Sequence, residues 1–348
     1  MTAEPEYLPP ESLEEIAARE RRRSEAPPRY PAPPNEIHPG QPQPESYVIP
    51  RPELPFYDPA LNAAGAQPIH AAPGFYTLQP ARTLARLIPN LGHSAIFFLL
   101  AFFVMLGGEE LAVRAARHLR LFSNLDLQSI AADARLSIPA QAVEYLALFA
   151  VSASLFAMLW RQPFLSAIHW NARSAISRLR WLVPIGIVLG FVIILGGDFL
   201  PMPKNAPIVE DMMNSATGAW LMFLFSFTGA PLMEELAFRG FLLPSILNAF
   251  RWSGDRGLIS PTAVRWIGLP TSILLTSCCF ALMHSPQVSN SWGAVMLIGI
   301  VSVVLCIVRM QMNSVLASAI VHAAYNFTLF AGILFTTGGF RHLDNLKG

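Results

Sequence analysis

Three ionisable side chains interrupt a long apolar stretch of the sequence at PLMEELAFRG, residues 231–240. Glu235 and Arg239 are four residues apart with the acid first, a spacing that predicts an ion pair on one face of a helix. Glu234 lies about 100° around the same helix, so one arginine is not expected to neutralise both carboxylates. An acid without its own partner in a dry site suits a general base or acid. The pattern therefore predicts a structural pair, Glu235 with Arg239, beside a reactive Glu234.

Two histidines also lie within apolar segments. FALMH places His284 four residues after Phe280, and HAAYN places His322 and Asn326 on one face of a later helix. A charged side chain at mid-bilayer costs about 2.5–3.5 kcal/mol on insertion scales, so such residues are expected to have a use. We therefore expect three helices to pack together so that Glu234, the two histidines and the asparagine satisfy one another.

The same acid–acid–base spacing occurs a second time, in GGEELAVRAARHLR. Glu109, Glu110 and Arg114 follow an apolar run and precede further arginines, so we expect an interfacial amphipathic helix whose charges reach water. The spacing alone is therefore a weak signal. Its weight at 234–239 comes from the apolar surroundings and from the two histidine motifs.

Taken in order, EELAFR at 234–239, FALMH at 280–284 and HAAYN at 322–326 resemble the CPBP family. This family comprises the type II CAAX prenyl proteases and the bacteriocin-immunity proteins. Its pattern is EExxxR, FxxxH and HxxxN on separate membrane helices, and all three motifs of this chain match it. The resemblance covers residues 215–340 and implies an intramembrane endopeptidase, with the processing of CAAX tails as one implied activity.

The resemblance also implies a role for each motif residue. Glu234 and His284 would bind and activate the attacking water, and His322 and Asn326 would stabilise the oxyanion on the scissile carbonyl. This division suits peptide hydrolysis, which needs a base for the water and preorganised donors where negative charge develops. No serine or cysteine adjoins these groups as an obvious nucleophile, so we expect direct attack by water.

By the same resemblance, Glu235 and Arg239 would hold the shape of the site. Members of the family have been described both as metalloproteases and as metal-independent glutamate proteases. Glu234, His284 and His322 could ligate zinc, although the chain has no HExxH motif. We prefer catalysis without a cofactor, because Glu234 cannot easily serve as both ligand and base; zinc is the alternative.

The elements that must position these groups are membrane helices. Of the 348 residues, 53% are hydrophobic and only 14% are charged, whereas about a quarter of the residues in a soluble domain are charged. This composition predicts an all-α fold, a polytopic transmembrane helix bundle of seven spans, with eight as the alternative. The expected spans are 91–107, 141–160, 181–197, 217–237, 267–284, 292–309 and 314–337.

The depth of Glu234 in the membrane adds a constraint on the fourth span. A helix that ended near Phe238 would leave Glu234 close to one face, whereas His284 lies at the far end of the fifth span. We therefore expect the fourth helix to continue to about Phe250, with a kink at Pro231 or a break at Pro244.

The chain divides into three predicted regions. Residues 1–80 hold 18 of the 30 prolines, and proline at this density forbids helix. We therefore expect residues 1–85 to be a disordered cytoplasmic tail that can recruit a partner. Residues 86–214 are predicted to be variable N-terminal transmembrane helices, and residues 215–340 the catalytic transmembrane domain.

The arginines predict the orientation. Arg21–Arg23 precede the first span, and the loop at 161–180 contains four arginines and no acid, which places both inside by the positive-inside rule. The loop at 114–135 disagrees, since it carries four arginines on the outer side. We expect a multi-pass protein of the plasma or inner membrane with a cytoplasmic N-terminus. Its expected substrate is a peptide or membrane protein, and the net charge of +1 gives no reason to expect nucleic acid.

Two other functions use the same buried polar residues. A transporter or channel would employ them as a proton or cation relay, although the sequence shows no inverted repeat. A non-catalytic scaffold or immunity protein would use them only to join helices. A Glu234→Gln variant separates the three functions.

Overall fold

The structure is a computed structural model that describes residues 87–122, 124–202 and 213–346. The predicted tail at 1–85 lies outside these residues. The described residues form helices joined by short connections, with no strand among them. The all-α fold class is therefore confirmed.

Seven helices within the described ranges are long and apolar enough to cross a membrane, as the sequence predicted. They are α1 (Leu91–His118), α2 (Ala134–Trp160), α3 (Leu179–Gly197), α4 (Ala216–Asp255), α5 (Pro261–Met283), α6 (Trp292–Met312) and α7 (Val315–Thr336). Five short helices accompany them: Leu127–Ala132, Phe164–Ala167, Ala172–Ser177, Ser285–Val288 and Leu343–Leu346. The chain is a multi-pass membrane protein.

Polar residues begin and end these helices where the backbone needs partners. Asn90 caps α1 by accepting from the backbone of His93, whose side chain accepts from Asn90 N–H in return. Ser314 caps α7 by accepting from the N–H of Ala317. Between α6 and α7 the chain reverses within two residues, with Asn313 in the left-handed region at φ 46°. This tight turn makes α6 and α7 antiparallel neighbours.

Helix α3 packs against α7 through two glycines four residues apart. A Cβ on Gly186 would lie 2.4 Å from the carbonyl oxygen of Val321, and one on Gly190 would lie 2.7 Å from Cβ of Thr328. Small residues at this spacing allow two membrane helices to approach to backbone contact. The position of α7, and of His322 next to Val321, therefore depends on these glycines.

Gly186→Ala should weaken this packing. Its methyl group would overlap the Val321 carbonyl, and overpacking of this kind costs about 1–3 kcal/mol. Unfolding of the purified protein in detergent measures the loss. Gly332→Ala is the matched control, because its added Cβ meets nothing within 4 Å. Equal stability of the two variants would contradict the close contact.

Helix α4 is long because it is built from several segments. Residues Ala216–Phe227 form a first α-helical segment, and Thr228 interrupts it with φ −118° and ψ −85°. A second segment, Gly229–Glu235, has Pro231 in its first turn, where the missing N–H costs no helical hydrogen bond. A proline kinks a helix on its N-terminal side, because its ring clashes with the carbonyl four residues back, here that of Phe227. The predicted kink at Pro231 is therefore present, and it interrupts the backbone at Thr228.

The remainder of α4 confirms the longer helix. Residues Leu236–Leu242 form a π-helix, and Leu243–Asp255 return to α-helical geometry. The predicted break at Pro244 is absent, because Pro244 lies in the first turn of this last segment. Widened π turns are frequent at functional sites, and this one begins directly after Glu235.

An aromatic cluster supports the π segment. Phe241 is fully buried, and its ring lies 4.3 Å from that of Phe97 and 4.8 Å from that of Phe156. Trp160 and Phe164 extend the cluster, because their ring centroids lie 5.8 and 6.1 Å from that of Phe241. The N-terminal helices α1 and α2 thus pack directly against α4, the helix that carries Glu235 and Arg239.

Candidate active site

The ion pair predicted between Glu235 and Arg239 is present and fully buried. Nη1 of Arg239 donates to Oε1 of Glu235 at 2.8 Å, and both side chains have 0% exposure. Nη2 of Arg239 also donates to Ser302 on α6, to its carbonyl at 3.0 Å and its Oγ at 2.8 Å. A buried ion pair needs such additional hydrogen bonds to offset its desolvation. The pair therefore joins α4 to α6.

The same carboxylate oxygen also contacts the third motif. Nδ1 of His322 lies 2.9 Å from Oε1 of Glu235. A carboxylate paired with arginine can only accept, so Nδ1 carries the hydrogen and donates it. Glu235 thus orients His322 and fixes the tautomer of its neutral ring.

Glu234 lies between the two histidines. Its Oε2 is 3.7 Å from Nε2 of His284 and also 3.7 Å from Nε2 of His322. The two histidines and the first glutamate of the opening motif, which come from three helices, therefore meet at one point. A short fourth helix would have left Glu234 and His284 at different depths in the membrane. The extended α4 instead brings Glu234 level with His284.

The hydrogen bond of His284 determines which atoms at this meeting point can accept a hydrogen bond. Nδ1 of His284 is 2.8 Å from the carbonyl oxygen of Phe280 and must donate to it. When both rings are neutral, the Nε2 atoms of His284 and His322 therefore carry lone pairs. Three acceptors, these two nitrogens and Oε2 of Glu234, then surround one position. A water molecule, which donates two hydrogen bonds, suits such a position.

Phe280 supports both histidines. Its ring is 2% exposed and lies 4.5 Å from the ring of His284 and 5.9 Å from that of His322. The guanidinium carbon of Arg239 lies 4.7 Å from the centre of the same ring, a cation–π distance. The phenylalanine of the FxxxH motif is thus a structural centre of the site.

Asn326 lies one turn beyond His322 on α7 and binds the interruption in α4. Its Nδ2 donates to the carbonyl oxygen of Ser226 at 2.7 Å. The break at Thr228 interrupts the helical hydrogen bonds of this region, so a side-chain donor is needed there. Among the described residues the second N–H of Asn326 has no hydrogen-bond partner.

Access to the site is uneven. The side chains of Glu234 and His284 are 16% and 14% exposed, whereas those of Glu235 and Arg239 are 0% exposed. Glu234 and His284 therefore retain some accessible surface, whereas the ion pair has none. By contrast, the second copy of the motif is open: Glu110 and Arg114 pair with 61% and 76% of their side chains exposed.

No group of three or more His, Cys, Asp and Glu side chains in the described ranges is arranged to hold a metal ion. Of the residues proposed from the sequence as zinc ligands, Glu234 is also the one predicted to act as base. Glu235 is less suited to that role, because its side chain is 0% exposed and Arg239 and His322 bind its Oε1.

Comparison with known proteins found one matching family model. Residues 216–328 match the family model described as type II CAAX prenyl endopeptidase Rce1-like. This segment is Rce1-like. The match is consistent with the CPBP resemblance of the three motifs, which is thereby confirmed. It covers less than half of the chain and runs from the start of α4 into α7.

The Rce1-like segment contains all six residues named from the sequence. A search of curated proteins and a search of solved structures found no significant match. The family-model match supports a CAAX-type intramembrane protease family. The roles of the individual residues remain predictions.

Sequence reasoning missed two contributions from α6. Ser302 binds Arg239 through two acceptors, yet a serine in an apolar run gave no signal. Arg309 is 4% exposed, although arginines near the ends of membrane helices commonly extend to the membrane surface. The available signal for Arg309 was its position within the last turn of α6, with only three more helical residues after it.

Proposed function

We propose that this protein is an intramembrane endopeptidase that hydrolyses a peptide bond with water activated by Glu234 and His284. The observation that carries the proposal is the convergence of Glu234 Oε2 with the Nε2 atoms of His284 and His322 at 3.7 Å. The Rce1-like match of residues 216–328 favours a C-a-a-X tail, in which the cysteine is prenylated, as the substrate class.

The first step is attack by water. Water at the meeting point donates one hydrogen bond to Glu234 and one to His284, which aims an oxygen lone pair at the substrate. As that oxygen bonds to the carbonyl carbon, one water proton passes to Glu234. The electron pair of the C=O bond moves to the carbonyl oxygen, which becomes an oxyanion.

The second requirement is stabilisation of this oxyanion. The free N–H of Asn326 is a donor that needs no proton transfer. His322 can donate from Nε2 only as an imidazolium, since its Nδ1 hydrogen already binds Glu235. The ion pair with Arg239 is therefore assigned to the control of His322 rather than to proton transfer.

The final step breaks the peptide bond. The oxyanion collapses, the C–N bond breaks, and the proton held by Glu234 passes to the amine nitrogen. The products are a carboxylic acid and an amine, so atoms balance with one water consumed. Glu234 thus acts first as base and then as acid, and no cofactor takes part in our scheme.

A cleavage assay tests the proposal. Full-length protein in liposomes is incubated with an internally quenched peptide that ends in a farnesylated C-a-a-X sequence. We expect fluorescence to rise and mass spectrometry to place the cut within the C-a-a-X tail. The same peptide without the farnesyl group shows whether the lipid is needed. The proposal fails if neither peptide is cut and membrane proteomes of wild-type and Glu234→Gln cells show no differing cleavage product.

The same assay, repeated after exhaustive chelation of metal ions, tests whether the peptide is cleaved without a metal. We expect cleavage to persist, because water, Glu234 and His284 supply the attacking group and its base. Metal content of the purified protein is measured in parallel by mass spectrometry. Complete loss of cleavage that zinc restores would show that the reaction needs a metal and would overturn the metal-free mechanism.

A further inference from the structure

Arg309, on α6, is a buried cation whose three hydrogen-bond partners are all neutral. Its Nε donates to the carbonyl oxygen of Arg239 at 3.2 Å, and its Nη2 to that of Ile168 at 3.3 Å. Its Nη1 donates to Oδ1 of Asn313 at 3.2 Å. In the described part of the chain it makes no ion pair with a carboxylate.

A buried arginine within a membrane helix carries a desolvation cost, so it is expected to have a use. Its three acceptors belong to three separate segments. One lies in the π segment of α4, one in the connection after α2, and one at the end of α6. Five N–H donors in a rigid fork suit a side chain that joins several carbonyls.

The carbonyl of Arg239 needs this donor because of its position in the π segment. The N–H of Leu243 donates five residues back, to the carbonyl of Phe238. In the same register the next residue would donate to the carbonyl of Arg239. That residue is Pro244, which has no N–H. Nε of Arg309 supplies the hydrogen bond that the helix itself cannot make.

This backbone position bears directly on the candidate site. The side chain of Arg239 holds Glu235, and Glu235 holds His322. Glu234 is the adjacent residue on the same turn. A shift of the π segment therefore moves the ion pair, the orientation of His322 and the aim of Glu234 together.

We propose that Arg309 is a positioning residue that acts through the carbonyl of Arg239. It holds the π segment in the geometry that directs Glu234 towards His284 and His322. The proposal rests on the hydrolytic function above for its catalytic consequence, whereas the contact itself does not depend on that function.

A double-mutant cycle between residues 309 and 244 tests the proposal. Arg309→Gln should lower kcat on the farnesylated peptide by about tenfold to a hundredfold, since small misplacements of reacting groups cost this much. KM should change little, because Arg309 does not touch the substrate. Pro244→Ala supplies the missing N–H, so adding it to Arg309→Gln should recover much of the lost kcat and raise Tm. Pro244→Ala alone is the reference.

Asn313→Gly is the matched control. It removes only the acceptor of Nη1, and glycine keeps the left-handed backbone at this turn. Its Tm should fall while its kcat stays near that of the wild type. Should Arg309→Gln not fold, Arg309→Lys in the same cycle keeps the charge and one donor group.

The outcomes separate the two proposals. The role of Arg309 would be overturned if the wild-type protein cleaved the peptide but adding Pro244→Ala to Arg309→Gln recovered neither kcat nor Tm. The hydrolytic function would then still stand. An unchanged kcat in Arg309→Gln would have the same two consequences. Recovery of Tm in a protein that cleaves no peptide would support the contact and refute the hydrolytic function.

Discussion

Glu234→Gln should abolish cleavage of the farnesylated peptide and leave the protein folded. Glutamine has nearly the shape of glutamate but cannot take a proton from water, and loss of a general base lowers rates by about 10²–10⁴-fold. The fold should survive because Oε2 of Glu234 lies 3.7 Å from each histidine, beyond a direct hydrogen bond. The measurements are kcat, Tm and elution volume in gel filtration.

The second copy of the motif supplies the control for this variant. Glu110→Gln changes the same residue type in the same acid–acid–base spacing, but at an exposed pair. It should keep the wild-type kcat. If Glu234→Gln retained more than about a tenth of the wild-type rate, Glu234 would not be the base.

The same variant separates the rival functions. A transporter should lose flux in liposomes on Glu234→Gln, with no peptide cut by either form. A scaffold or immunity protein should keep its cellular phenotype. Only a protease loses a cleavage product and accumulates the uncut substrate.

Arg239→Gln should cause the largest loss of stability. It leaves the carboxylate of Glu235 buried with 0% exposure and without its cation, and it removes both hydrogen bonds to Ser302. Breaking a buried pair in this way costs about 3–5 kcal/mol. Unfolding in detergent measures the change, and cleavage should fall as well, because Glu235 would no longer be held against His322.

Two comparisons sharpen this experiment. Arg114→Gln breaks the exposed pair of the second motif and should cost no more than about 1 kcal/mol. Glu235→Gln added to Arg239→Gln removes the unpaired charge and should recover part of the stability. If Arg239→Gln were no more destabilising than Arg114→Gln, the buried pair would have no structural role.

Some of this architecture follows from local sequence. The seven spans follow from apolar length, since a backbone in lipid must satisfy its own hydrogen bonds and does so as helices. The pair Glu235–Arg239 follows from a spacing of one helical turn. The expectation that Glu234, His284 and His322 would meet follows from the cost of polar groups in lipid, which favours their association.

Other features depend on contacts that no local pattern encodes. At the interruption of α4, Asn326 of a distant helix supplies a donor to the carbonyl oxygen of Ser226. The π segment persists because Phe241 packs into an aromatic cluster from α1 and α2 and because Arg309 replaces the donor that Pro244 lacks.

Composition and short spacings were enough to predict the membrane class, the seven spans and the family to which residues 216–328 are similar. Both kinds of signal act within one helix. Which atoms meet depends instead on contacts between helices. The tertiary structure assigned the Nδ1 hydrogens of both histidines to Phe280 and Glu235, because a hydrogen bond requires a partner at a defined distance from another segment. That assignment leaves the Nε2 lone pair of His284 beside Oε2 of Glu234, the two acceptors that hold the attacking water in the proposed chemistry.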